Sequence, residues 1–223
     1  MDESRGTRAV ARFAPRVISV VTVHGLWVRS GAMAILRHRL EPRGLTVREF
    51  DYPSVTSSLT VNARALADFV DSVPGDTIHL VGHSTGGVVI RAMLDQRVPA
   101  RVGRVVCIGS PLRGSRTGRR FARLPGGPRM IGQSLGELHA HGGFDSWPAG
   151  VEAGSIAGSL PFGLGLLFGP FFAPNDGTVA VAETLVAGLA DHLVLRVSHM
   201  ALLWSPRVAD QVEHFLLNGR FRR

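Results

Sequence analysis

The sequence predicts an α/β fold, with a mostly parallel central sheet and helices on both faces. Apolar runs of β-branched residues alternate with segments of helical period, the pattern of a parallel sheet covered by helices. The first of these runs, residues 17–23 (VISVVTV), is apolar without interruption, as a strand buried on both faces requires. The chain has 223 residues, 45% of them hydrophobic and 19% charged, which suits one domain with a packed core.

The elements follow in order. The run at 17–23 stops at His24-Gly25, where loop chemistry begins. Residues 31–40 carry apolar side chains at helical spacing and end near Pro42-Arg43-Gly44, a normal stop signal. A strand at 46–50 and a helix at 59–73 follow. The strand at 77–81 leads into Gly82-His83-Ser84-Thr85-Gly86-Gly87, and residues 88–94 resume a helical period. Residues 104–108 read as a strand and 154–158 as a weaker one. Between them, residues 112–153 are rich in Gly, Pro and Arg and lack a clear period, so they read as an inserted, lid-like segment. Asn175-Asp176-Gly177 is a turn signal. A strand at 193–197 and a helix at 202–217 close the chain. Residues 1–15 are expected to be a flexible tail, and 16–223 a single domain.

Composition narrows the function classes. Cys107 is the only cysteine, so an internal disulfide and a two-cysteine metal knuckle are both excluded, and a reducing, cytoplasmic location is expected. The first residues lack the apolar core of a secretory signal. The apolar passage 159–174 is shorter than the roughly 18–20 residues of a membrane span and is interrupted by Gly and Pro. The net charge is +8, and all 25 basic residues are arginine. They are scattered, apart from 113–129 and the terminal Arg220, Arg222 and Arg223. With no helix-turn-helix, zinc-finger or aromatic-basic pattern, nucleic acid is not an expected partner.

A serine hydroxyl is a weak nucleophile until an adjacent base takes its proton. Gly-x-Ser-x-Gly between a buried strand and a helix raises such a serine on a tight turn, and Gly82-His83-Ser84-Thr85-Gly86 stands in that context. The bare pattern is common by chance; its strand-to-helix setting makes Ser84 the candidate nucleophile. The following helix directs amides and a positive dipole end at developing negative charge, so the Thr85 amide is a candidate oxyanion donor. A second donor is expected from His24-Gly25-Leu26-Trp27 after the first strand, with Leu26 as its carrier. His24 is expected to fix this loop by hydrogen bonding. Trp27 is either a pocket wall or a core side chain.

The base must follow the serine in the chain order Ser, acid, His. Of His139, His141, His192 and His199, only His199 stands just past the final strand, in a loop at the same sheet edge. His192 precedes that strand, and His214 sits in the last helix. The acid must hold the imidazole in one tautomer, and Asp176 in its turn suits that task. Asp145 and Glu183 are reserve candidates, while Asp191 shares the position of His192.

Together, His24-Gly25-Leu26-Trp27, Gly82-His83-Ser84-Thr85-Gly86-Gly87, Asp176-Gly177-Thr178-Val179 and Ser198-His199 resemble the α/β-hydrolase superfamily, in particular its bacterial lipase and esterase branch. The likeness runs from about Arg16 to the C-terminus, and the stretch from Ile108 to Ser115 also resembles a loop of lipase-like members. It implies an α/β-hydrolase fold and hydrolysis of carboxylic esters, often of lipids, without a metal or organic cofactor. The chain departs by carrying a short, arginine-rich insert where larger lipases have a well-formed helical lid. An acyltransferase or thioesterase would use the same triad. A noncatalytic hydrolase-fold protein that binds lipid or protein would lack one of its members. The expected partner is a small-molecule ester or lipid, with peripheral membrane contact as an option. The segment 160–173 is either a wall of an acyl pocket or a loop packed on the core.

Overall fold

The computed structural model describes residues 17–163 and 173–223. The predicted tail at 1–15 and most of the apolar passage at 160–173 lie outside the described residues. Six strands form one sheet: β1 (Ile18–Val23), β2 (Thr46–Phe50), β3 (Thr77–His83), β4 (Val102–Ile108), β5 (Ala153–Gly158) and β6 (Asp191–Leu195). Their order is β2-β1-β3-β4-β5-β6, and every neighbouring pair is parallel.

Seven α-helices accompany the sheet among the described residues: α1 (Ala34–Leu40), α2 (Leu59–Ser72), α3 (Thr85–Gln96), α4 (Arg116–Ala122), α5 (Gly127–Ala140), α6 (Ala201–Trp204) and α7 (Pro206–Asn218). The period of two along each strand sends alternate side chains to opposite faces. Val21, Val23, Leu80, Val105 and Cys107 pack with Leu66 and Val70 of α2 and Ile90 of α3. Val20, Val81, Val106 and Ile108 pack with Leu36 of α1 and with Val212 and Phe215 of α7. Both faces are therefore dry, which is why the strands read as unbroken apolar runs. Burying a side chain such as Phe215, which is 0% exposed, contributes about 1.5–3 kcal/mol.

Parallel pairing brings the C-terminal ends of all six strands to one edge of the sheet. The order reverses between β1 and β3, since β1 leads outward to β2 while β3 leads the other way to β4. A crevice opens at such a switch point. The loops after β1 and β3 meet there.

Three sequence expectations need correction. The insert is helical: residues 112–153 hold α4 and α5. Ser115 caps α4 by accepting a hydrogen bond from the Gly118 amide at 2.9 Å, and Ile131, Leu135 and Leu138 of α5 are buried at helical spacing. Gly132 interrupts α5 at φ 73°, where an added Cβ would lie 2.6 Å from Val55 Cα. The last strand begins two residues earlier than expected, at Asp191. As an edge strand paired only with β5 it tolerates polar side chains, and His192 lies within it rather than before it. The closing helix is divided. Ser205 accepts from the Val208 amide at 3.4 Å, and Pro206 starts α7 at the first turn, where a missing N–H is harmless.

Candidate active site

Ser84 joins β3 to α3 with φ 53° and ψ −123°. A non-glycine residue held there is strained by about 1–3 kcal/mol, and its surroundings must fix it. The glycines of the motif make that possible. A Cβ on Gly82 would lie 2.4 Å from the Gly87 amide nitrogen, and one on Gly86 would lie 2.1 Å from the Val23 carbonyl oxygen. The α3 N-terminus thus rests directly on the end of β1. The Ser84 amide donates to the Ile108 carbonyl at 2.8 Å, tying the turn to β4.

The loop after β1 runs against this turn. A Cβ on Gly25 would sit 3.0 Å from Ser84 Cβ, so the backbone leading to the Leu26 amide passes beside the serine. His24 is fully buried and stacks on Tyr52 with ring centroids 4.4 Å apart. Burial lowers its pKa, with the Gly25 carbonyl and Asp51 acting in the opposite sense; Nδ1 meets the Gly25 carbonyl at 2.8 Å, and Nε2 lies 3.3 Å from the Tyr52 amide nitrogen and 3.1 Å from Asp51 Oδ1. It is a scaffold residue, as expected. Of the two expectations for Trp27, the structure gives the pocket wall and not the core side chain. It is 54% exposed, lines the cavity described below, and donates from Nε1 to the Met130 carbonyl at 2.6 Å.

Asp176 and His199 are brought together. His199 Nδ1 lies 2.7 Å from Asp176 Oδ2, and the His199 amide donates to the Asp176 carbonyl at 2.9 Å. The carboxylate is 1% exposed, and its Oδ1 accepts from the amides of Thr178 at 2.9 Å and Val179 at 2.7 Å. An Asx turn therefore orients one carboxylate oxygen through the backbone and leaves the other for the imidazole. Gly109 closes the arrangement with φ 55°: a Cβ there would be 3.2 Å from His199 Nδ1 and 3.3 Å from Asp176 Oδ2.

Ser84, His199, Leu26 and Thr85 all line one cavity of about 190 Å³. Its walls come from the loop after β1, from α4 through Thr117, Gly118 and Phe121, from α5 through Ile131 and Leu135, and from the loop that carries Asp176 through Thr178 and Val179. No Asp, Glu or Arg lines it among the described residues. Among the same residues, no group of three or more His, Cys, Asp and Glu side chains could hold a metal ion, and no helix is long and apolar enough to cross a membrane.

The other candidates lie elsewhere. Glu183 is buried and accepts from the Ala180 amide at 2.9 Å and the Arg116 amide at 2.6 Å, bracing the segment after Asp176 against the start of α4. His192 Nε2 meets Thr184 Oγ1 at 2.9 Å, and His214 Nδ1 meets the Arg220 carbonyl at 2.8 Å. His141 Nδ1 meets the Glu137 carbonyl at 2.8 Å, and His139 packs against Gly118 between α4 and α5. Asp145 and Asp191 are not among the cavity's lining residues.

Sequence reasoning missed His83. Its ring is 2% exposed, its centroid lies 4.8 Å from that of His199, and Nε2 donates to the His199 carbonyl at 3.2 Å. Burial, with a smaller contribution from the charge of His199, pushes its pKa down to about 3. The neutral ring thereby anchors the backbone of His199. Its place beside Ser84 in the sequence was visible, but nothing in a single chain linked it to residue 199.

The fold is shared with solved structures of low sequence identity. A lipase from Bacillus licheniformis, BlEst2, superposes with a TM-score of 0.72 at 19% identity, covering 94% of this chain and 95% of that one. The metagenomic carboxyl esterase MGS0156 gives 0.64 at 21% identity, covering 92% and 75%. The carboxylesterase CesB from Bacillus subtilis gives 0.59 at 16% identity, covering 92% and 85%. Among curated proteins, none matches the sequence significantly. A profile described as "Alpha/beta hydrolase family" matches residues 20–218, and the chain belongs to that family.

Proposed function

We propose that the protein hydrolyses carboxylic esters through an acyl-enzyme, with Ser84 as nucleophile, His199 as base and acid, and Asp176 as the group that orients His199. The observation that carries this reading is the Asp176–His199 hydrogen bond at 2.7 Å, on loops that share a cavity with a serine held at positive φ.

In the first half-reaction, Ser84 Oγ bonds to the ester carbonyl carbon as His199 Nε2 takes its proton. The carbonyl oxygen becomes an anion, held by the amides of Leu26 and Thr85. Each such donor is worth about a hundredfold to a thousandfold in rate. The C–O bond to the alcohol then breaks, and the proton on His199 leaves with it. Water next gives a proton to His199 and attacks the acyl-enzyme, releasing the acid and restoring Ser84. Asp176 keeps the Nδ1 proton in place and stabilises the imidazolium. The uncharged, largely apolar cavity favours a neutral acyl group, and its modest volume favours a short or medium chain.

Ser84→Ala tests the reading. Turnover of a chromogenic short-acyl ester should fall roughly 10⁶-fold, and labelling by a fluorophosphonate probe should vanish, with the circular dichroism spectrum unchanged. Undiminished turnover in that variant would overturn the assignment. Turnover with acyl donors of graded length, with water, alcohols and thiols as competing acceptors, would identify the acyl preference and separate hydrolysis from acyl transfer.

A further inference from the structure

The mouth of the cavity carries an arrangement that ester hydrolysis does not need. Trp27, Leu124, Met130 and Phe162 are 54%, 45%, 52% and 74% exposed. Two of them, Trp27 and Phe162, line the cavity, and the other two are neighbours of its wall: Trp27 is bonded to the Met130 carbonyl, and the Leu124 amide donates to the carbonyl of Phe121, whose ring meets Trp27 edge-on at 5.7 Å. An apolar rim of this kind marks a surface that is covered in use.

Arginines are interleaved with the rim. Arg123 precedes Leu124, Arg129 precedes Met130, and Arg29 follows Trp27 by two residues; all three are exposed, and Arg29 lies 3.8 Å from Asp51. Residues 112–136 contain six arginines and no acid. Long side chains of this type lay their stems along an apolar layer and raise their charge to its polar boundary. A second copy of the chain would set these like charges against one another. Nucleic acid would leave the aliphatic Leu124 and Met130 without a partner, because bases bind through stacking and phosphates through charge. An anionic bilayer meets both demands at once, with acyl chains for the rim and headgroups for the guanidinium groups.

We infer that the rim formed by the loop after β1 and the α4–α5 turn docks on anionic phospholipid bilayers, with the cavity opening toward the lipid. The docking does not depend on the reaction proposed above. It is tested on Ser84→Ala protein, so that binding is read without turnover. Sedimentation is compared with vesicles of phosphatidylcholine alone and of phosphatidylcholine mixed with phosphatidylglycerol, at about 0.1 M and 1 M salt, where the screening length falls from about 10 Å to 3 Å.

The protein should sediment with the anionic vesicles at low salt and remain in solution with the neutral ones. Removing three charges as Arg29→Gln, Arg123→Gln and Arg129→Gln should weaken binding about a hundredfold, at about fivefold per arginine. Leu124→Ser with Met130→Ser should weaken it with all charges intact. The inference is overturned by absence of binding, by equal binding to both vesicles, or by either variant binding like its parent. Displacement of the protein from vesicles by an equal mass of single-stranded RNA would also overturn it in favour of nucleic acid.

Discussion

On the proposed mechanism, replacing Asp176 by Asn separates orientation of the base from its mere presence. The carboxylate uses Oδ1 for two backbone amides, Thr178 at 2.9 Å and Val179 at 2.7 Å, and Oδ2 for His199 Nδ1 at 2.7 Å. An Asn side chain that keeps its oxygen on the two amides must turn its NH₂ group toward His199. Two donors cannot face each other, so the imidazole moves its proton to Nε2, the atom required to accept from Ser84. The equivalent change in a well-studied serine protease lowers kcat about 10⁴-fold, which corresponds to about 5.5 kcal/mol. Stability should fall by only roughly 2 kcal/mol, the difference between charged and neutral acceptors at two amide bonds. Initial rates on a chromogenic short-acyl ester, with a urea melt of each protein, measure both quantities. A folded Asp176→Asn enzyme with kcat within tenfold of the parent would refute the argument, because the tautomer would then be immaterial.

Two further outcomes follow from the same geometry. Gly86→Ala should destabilise the protein by roughly 3 kcal/mol or more, because the new Cβ would lie 2.1 Å from the Val23 carbonyl, whereas an ordinary exposed helical glycine gains from alanine; a urea midpoint equal to the parent's would contradict it. His83 is buried with its pKa lowered from 6.5 to about 3, so between these values the unfolded chain binds the proton and the native state does not. Stability should therefore rise with pH through that window, with His83 accounting for a loss of about 2 kcal/mol on going from pH 7 to pH 5. His83→Gln, which keeps a donor for the His199 carbonyl, should remove that share of the slope; an unchanged slope by urea denaturation at the two pH values would show that His83 is not its source.

The elements that the sequence revealed are those whose burial is symmetrical. β1 and β3 are covered on both faces, so their runs of Val, Ile and Leu admit one reading, and Ser84 could be placed by its position between β3 and α3. Asp176 and His199 were legible through chain order and loop position, although their mutual bond was not. The helices α4 and α5 were hidden because Gly118, Gly127, Gly132 and Gly136 dilute their apolar period. Their glycines answer to neighbours distant in sequence: Gly118 makes room for His139, and Gly132 for Val55. The start of β6 was obscured by Asp191 and His192, which an edge strand accepts because one side of it is unpaired. Gly109 and His83 act on residues 176 and 199, and only folding shows such distances.

On the proposed mechanism, chemistry and selectivity fall to different parts of the molecule. Ser84 can remain strained because α3 has no freedom to relax: residues 85–94 are all buried, and the helix start is wedged against β1 by Gly86. A strain of about 1–3 kcal/mol is substantial beside a net stability of about 5–15 kcal/mol, so it must be held by the central strands rather than by a surface segment. The pocket walls face the opposite requirement. Besides packing Ile131, Leu135 and Leu138 into the core, α4 and α5 reach the body through bonds from Thr117 Oγ1 to the Thr178 carbonyl at 2.7 Å, from Ser134 Oγ to the Ser57 carbonyl at 3.0 Å, and from Asn62 Nδ2 to Ser134 Oγ at 2.8 Å. Substitutions on their cavity-facing side chains therefore alter what fits against Ser84 without releasing the turn that holds it. The bonds of Thr117 to the Thr178 carbonyl and of the Arg116 amide to Glu183 are exceptions, because they end on the segment that follows Asp176, and through them a change in the wall reaches that residue.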